Sequence, residues 1–188
     1  STPAPVQTKN VKEVLPTSGM KTGFLSIIQG PTTDQETLIN IFAPRLKNYT
    51  YEVKDEAGNI VTVEKYETIK GPFFFNIDKL KVSGLTPNKN YKLQIVDISA
   101  TSGSRSIVDE RSFQALDLSK ANPEFALVSC MADDYRFNDV IDPMWNRLKN
   151  ENVDFIAITG DVVYVDDKNL VERQKATEMD IWQRYVDT

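Results

Sequence analysis

The side chains able to do chemistry in this sequence are few. Among 188 residues there is no histidine, which excludes a Ser-His-Asp triad, a His-ligated zinc site and a histidine general base. A single cysteine excludes an internal disulfide and a CxxC metal or redox site. Carboxylates, tyrosines, one thiol or a bound metal must supply any reactivity. Three such groups have suggestive positions. Cys130 lies just past the apolar run Phe125-Ala126-Leu127-Val128. Asp161 lies just past Asp154-Phe155-Ile156-Ala157-Ile158-Thr159, and Tyr164 follows three residues on. Thiolate, carboxylate and phenolate together form a hard-to-borderline anionic set. A trivalent iron suits it, because a highly charged metal lowers the pKa of thiol and phenol alike. Each residue has a plain structural reading too: Cys130 as a small buried hydrophobe, Gly160-Asp161 as a turn, Tyr164 as core packing. Asp133-Asp134 and Asp166-Asp167 read as solvated surface.

The elements that position these groups form a βαβ unit. Phe125–Val128 and Asp154–Thr159 are continuous apolar runs, as expected of parallel strands buried on both faces. Between them, Asp142-Pro143 reads as a helix N-cap followed by proline at the first helical position. Ile141, Met144, Trp145 and Leu148 then fall on one helical face. A last helix candidate runs from about Asn169 to Val186, with Val171, Met179, Trp182 and Val186 as an imperfect apolar stripe. In a right-handed βαβ unit the C-terminal ends of both strands share one sheet edge, the edge outside which ligands bind in open α/β sheets. Cys130 and Asp161 are thereby expected on one rim. The 13-residue connection from Ser129 to Ile141 is long for a βα loop, and long loops are often functional.

Upstream the pattern differs. Residues 1–22 are a polar, Pro-containing leader, the expected start of an exported protein freed of its signal peptide. From 23 to 116 short runs with turn signals every ten or so residues predict an antiparallel Ig/fibronectin III-like sandwich. The strand candidates are Phe24–Ile28, closed by Gly30-Pro31; Leu38–Phe42; Tyr49–Val53; Ile60–Val63; Phe73–Ile77; Lys79–Val82; Tyr91–Val96; and the pieces Ser106–Val108 and Arg111–Phe113. Asp55–Asn59 reads as the turn of a hairpin. Residues 117–123 are a polar linker, and 124–188 the βαβ segment. Two parallel strands and two helices cannot cover both faces of a sheet, so the chain is expected to be incomplete at this end.

The net charge of −5 argues against a nucleic-acid binder, which needs a basic face. The charge is uneven. Residues 124–188 hold 7 basic and 14 acidic side chains, net −7, and residues 1–123 hold 15 and 13, net +2. No run of about 18 apolar residues occurs, so no membrane span is expected.

Ser129-Cys130 after one strand and Gly160-Asp161-Val162-Val163-Tyr164 after the next resemble the opening of the alkaline phosphatase D group of metallophosphoesterases. Gln29-Gly30-Pro31-Thr32-Thr33 and Gly84-Leu85-Thr86-Pro87 are similar to the sandwich preceding the catalytic domain there; the latter is also a fibronectin III-like turn. The resemblance runs through the whole chain in order. It implies a sandwich followed by the first part of an αββα metallophosphoesterase domain. It further implies that Cys130 and Tyr164 bind iron(III), Fe(3+), and that the catalytic Asp161 bridges it to calcium, Ca(2+), or that another dinuclear pair sits there. Such a pair would hold a phosphate ester and activate a hydroxide. The family's later Gly-Asn and histidine motifs are not in this sequence. The remainder of the catalytic domain is thus an expected partner, this chain alone is expected to be inactive, and the location is expected to be periplasmic or extracellular. The rival reading is a sandwich-based interaction or cell-surface module with Cys130 as packing. A nucleotide-binding Rossmann protein is disfavoured because no Gly-x-Gly-x-x-Gly follows Val128.

Overall fold

Alternating burial organises the first half of the chain. In β2 (Glu36–Pro44) Thr37, Ile39, Ile41 and Ala43 are buried, and in β5 (Phe75–Ser83) Asp78, Leu80 and Val82 are. This is the period-2 signature of strands with one face on a core. The computed structural model describes residues 25–71, 74–129, 147–148, 150–151, 153–160 and 177–187. The other strands of the sandwich are β1 (Ile27–Thr32), β3 (Tyr49–Asp55), β4 (Ile60–Lys70), β6 (Asn90–Ile98) and β7 (Arg105–Gln114). All neighbours are antiparallel, in the order β1-β2-β5-β4-β3-β6-β7.

The sheet curls about β4. Its first residues pair with β3, Ile60 opposite Lys54 and Val61 opposite Val53. From Thr62 to Lys70 it pairs with β5 instead. The two wings face each other, and Ile39, Ile41, Leu80 and Val82 of one wing cluster with Val53, Leu93 and Ile95 of the other. Leu85 plugs one end at 5% exposure. Gly84, at φ 82°, makes the bend into it, and the Thr86 N–H donates to the Tyr91 hydroxyl at 2.7 Å. This is the fibronectin-like Gly-Leu-x-Pro corner expected from the sequence.

Several boundaries differ from the sequence reading. Gly30-Pro31 does not close a strand; it lies inside β1, where the register against β2 shifts between Gln29 and Thr32. An irregular edge tolerates a proline because no ladder partner needs its missing N–H. β4 continues far past Val63, its polar residues lying on a largely exposed strand. The two candidates at 73–82 merge into β5, and those at 106–113 into β7.

Beyond the sandwich, β8 (Phe125–Val128) and β9 (Phe155–Ile158) pair in parallel, residue for residue. The expectation that both are buried on both faces is not met. Phe125 is 54% exposed, Leu127 64% and Ile158 49%, because two strands alone offer no second layer. A layered α/β metallophosphoesterase segment is not evident among the described residues. Arg147, Leu148 and Asn150 are helical, inside the helix expected after Asp142-Pro143. The C-terminal helix, α1 (Glu178–Asp187), starts where Thr177 caps it. The Asp180 N–H donates to the Thr177 hydroxyl at 3.3 Å, and the Asp180 carboxylate accepts the Thr177 N–H at 2.8 Å. This reciprocal box and the first-turn acids Glu178 and Asp180 favour a helix start here. Residues 169–176 of the expected helix lie outside the described residues, and among those described no helix is long and apolar enough to cross a membrane.

Candidate functional site

β8 and β9 end level with each other, Val128 opposite Ile158. The Thr159 N–H and hydroxyl both donate to the Val128 carbonyl, at 2.9 and 3.2 Å, so the two strands are tied to their last residue. Gly160 then turns the chain at φ 130°, and an added Cβ would meet nothing within 4 Å. Backbone conformation, not crowding, calls for glycine there. The chain following each strand therefore leaves from the same edge of the pair. Cys130, Asp161 and Tyr164 come next, and all three lie outside the described residues, as do Asp133, Asp134, Asp166 and Asp167. Among the described residues no group of three or more His, Cys, Asp or Glu could hold a metal ion.

The opposite edge is pinned to the linker. Lys120 Nζ donates to both Asp154 oxygens, at 2.9 and 2.7 Å, and the Glu124 N–H donates to Asp154 Oδ2 at 2.7 Å. The Lys120 ammonium, above all, holds the Asp154 carboxyl below its ordinary range, and Asp154 in turn raises Lys120. Asp154 is thus a charged clip between residues 117–124 and the start of β9.

Two buried carboxylates went unnoticed in the sequence reading. Asp78 is 5% exposed. Its Oδ1 accepts from the Thr68 hydroxyl at 2.7 Å, and its Oδ2 from the Tyr51 hydroxyl and from Lys65 Nζ, the latter at 3.4 Å. Burial first, and the bond to Asp78 second, push the Tyr51 phenol far above its ordinary range. Asp109, fully buried, accepts the Leu25 and Glu110 N–H groups at 2.8 and 2.7 Å and pairs with Arg111 at 3.0 Å. For Asp78 the available signal was a charged residue alternating with Leu80 and Val82, whereas Asp109 alternates with Arg111 and carried no such signal. These groups are engaged in holding strands together: Asp109 ties the chain entering β1 to β7, across the open edge of the curl.

The outer face of the sandwich carries a second arrangement. Phe42 is 6% exposed yet stands apart from the interior cluster that contains its neighbours Ile41 and Ala43. Its cover is α1. The Trp182 ring meets it edge-on at 6.0 Å between centroids, and the Tyr185 ring lies parallel to it at 6.1 Å. Between helix and sheet is an apolar cavity of about 280 Å³ lined by Phe42, Ile77, Ile181, Trp182 and Tyr185.

No family model matches this chain, and no curated protein matches it. Among solved structures, a computationally redesigned β-sandwich protein is similar over 49% of this chain and 92% of its own, with 16% identity and a TM-score of 0.36. A purple acid phosphatase from seeds of yellow lupin (Lupinus luteus) is similar over 73% of this chain, with 10% identity and a TM-score of 0.43. The chain spans 34% of that phosphatase's length. Astrotactin-2, a vertebrate-specific, perforin-like membrane protein, is similar over 65% of this chain and 25% of its own, with 12% identity and a TM-score of 0.35.

Proposed function

We propose that this chain is the front part of a metal-dependent phosphatase or phosphodiesterase: a non-catalytic sandwich followed by the first two parallel strands of the catalytic domain. The observation that carries the reading is the level ending of β8 and β9, Val128 opposite Ile158, which starts the segments bearing Cys130 and Asp161 from one sheet edge. Cys130 and Tyr164 are proposed as iron ligands and Asp161 as the bridging ligand to a second metal, calcium or another divalent ion. When bound, such a pair supplies charge for a phosphate ester and an acidified water. The residues of this chain contribute the rim: the Thr159 bonds to Val128 fix the strand ends, and the glycine at 160 sets the turn before Asp161. The proposed substrate is a phosphate ester and the proposed location is outside the cytoplasm.

The test is the intact protein from the complete reading frame, isolated and assayed for bound iron, visible thiolate- or tyrosinate-to-iron absorption, and hydrolysis of p-nitrophenyl and bis-p-nitrophenyl phosphate. We expect colour, iron and hydrolysis together, with Cys130→Ala losing iron and colour and Tyr164→Phe losing any tyrosinate band. A protein that neither binds iron nor hydrolyses either ester, or a Cys130→Ala variant that keeps both iron and colour, overturns the assignment; the first outcome favours a sandwich-based interaction module.

A further inference from the structure

We propose that the end of the sandwich formed by the β2–β3, β4–β5 and β6–β7 turns is a membrane-docking tip. It dips Leu46 and Phe74 into the interface of an anionic lipid bilayer while the basic residues around them meet the headgroups. The inference does not depend on the phosphoesterase reading.

Chain direction puts these turns at one end: β2, β4 and β6 finish there, and their antiparallel neighbours β3, β5 and β7 start there. The β2–β3 turn is tight, the Lys47 N–H donating to the Pro44 carbonyl at 2.9 Å. Leu46 stands on its crest at 93% exposure. Turn crests favour Gly, Asn, Asp and Ser, and a leucine so placed buries almost nothing within the chain. Phe74, in the β4–β5 turn, is 61% exposed. The two turns are tied together, because the Arg45 N–H donates to the Phe74 carbonyl at 2.5 Å and the Arg45 guanidinium donates to the Gly71 carbonyl. Both apolar side chains are thus carried on one support.

Charge is the second, independent observation. The described residues of the three turns include Arg45 and Lys47 and no acid, and Lys70 and Arg105 flank them in β4 and β7. Lys47 pairs with Asp97 at 2.6 Å, and Arg105 pairs with Glu52. Arg45 and Lys70 have no carboxylate partner among the described residues. At the opposite end the turns carry Asp34 and Glu56 against Lys89. In a chain of net charge −5, positive charge is therefore in excess where the exposed leucine and phenylalanine are. Size then selects the partner. Two convex side chains cannot supply the roughly 1,000 Å² that a specific protein interface needs. An apolar tip ringed by Lys and Arg suits a bilayer interface, where apolar atoms enter and the cationic groups reach phosphate. One such tip gives weak, reversible attachment.

The experiment is co-sedimentation of the 188-residue chain with vesicles of phosphatidylcholine alone and of phosphatidylcholine mixed equally with phosphatidylglycerol. We expect binding to the mixed vesicles only, falling as sodium chloride is raised. Leu46→Ser should weaken it about tenfold or more, the effect of keeping a leucine side chain in water, and Phe74→Ser should act in the same direction. Lys70→Gln should weaken it about fivefold. All three residues are exposed, so the variants should keep the urea midpoint of the unaltered chain. Leu127→Glu, on β8, is the control and should bind as the unaltered chain does. Absence of binding to the mixed vesicles overturns the tip, and so does binding undiminished in both Leu46→Ser and Phe74→Ser. Binding lost in Leu127→Glu but kept in Leu46→Ser overturns it too, assigning the lipid contact to the parallel strand pair. A dimer that Leu46→Ser dissociates in the ultracentrifuge, without vesicle binding, replaces the lipid surface by a second copy of the chain.

Discussion

Asp109 accepts two backbone N–H groups and an arginine from a fully buried position, and its removal leaves all three short of a partner. Asp109→Ala is expected to destabilise the sandwich by about 2–3 kcal/mol. Asp109→Asn retains an acceptor for the Leu25 N–H and should cost about 1 kcal/mol. Urea unfolding measures both, and equal losses would mean that the retained amide acceptor contributes nothing and that the lost charge accounts for the whole effect. The tyrosines of β3 give the protein an alkaline limit. Burial, with the negative Asp97 adding to it, pushes the Tyr49 phenol from 10.0 up to about 12. The folded pKa lies above the unfolded one, so the stabilisation is complete below about pH 10 and is lost as pH rises through about 12. Tyr49→Phe keeps the ring and removes the ionisation. The fall of the urea midpoint between pH 10 and 12 should therefore become shallower in this variant, and an unchanged slope would refute the assignment.

At the scale of the element, turns were the most legible features. Gly58 at φ 85° and Gly84 at φ 82° sit where the sequence announced bends. At Gly84 an added Cβ meets nothing within 4 Å, so Gly84→Ala isolates the backbone term. It is expected to cost about 1–2 kcal/mol by denaturant titration, with the m-value unchanged. A cost near zero would show that the corner relaxes to negative φ. Strand lengths were less legible, for a physical reason. Residues 64–70 of β4 are polar apart from Tyr66 and Ile69, and all are exposed, so no burial pattern reports them. Their strand character comes from ladder bonds to β5, whose position depends on the whole curl.

At the scale of the molecule, the parallel pair leaves apolar strand residues poorly covered among the described residues. Phe125 stacks on Phe155 at 5.3 Å, and Leu127 is 64% exposed on the paired strands. A two-stranded sheet with apolar faces to water is marginal on its own and sticky. The protein is expected to bind an apolar dye such as ANS, and Leu127→Glu to reduce that binding several-fold while leaving sandwich stability within about 0.5 kcal/mol. Dye binding that persists in Leu127→Glu would place the apolar patch elsewhere.

Alternation and turn chemistry in this sequence announced an antiparallel sandwich of short strands, the Gly-Leu-x-Pro corner and two apolar strands after it, because each of these signals is carried by residues close together in the chain, whereas the curl about β4 depends on which distant strands pair. The level strand ends that would launch Cys130 and Asp161 were legible for the same reason: a continuous apolar run stops abruptly at each. Tertiary structure alone decided the rest. Nothing near Asp109 in the sequence names Leu25 as its partner, and nothing in the run Leu38–Phe42 distinguishes Phe42 as the residue a helix will cover. Such pairings depend on which surfaces meet once distant segments are packed, and a local pattern records the polarity of a face without recording what lies against it.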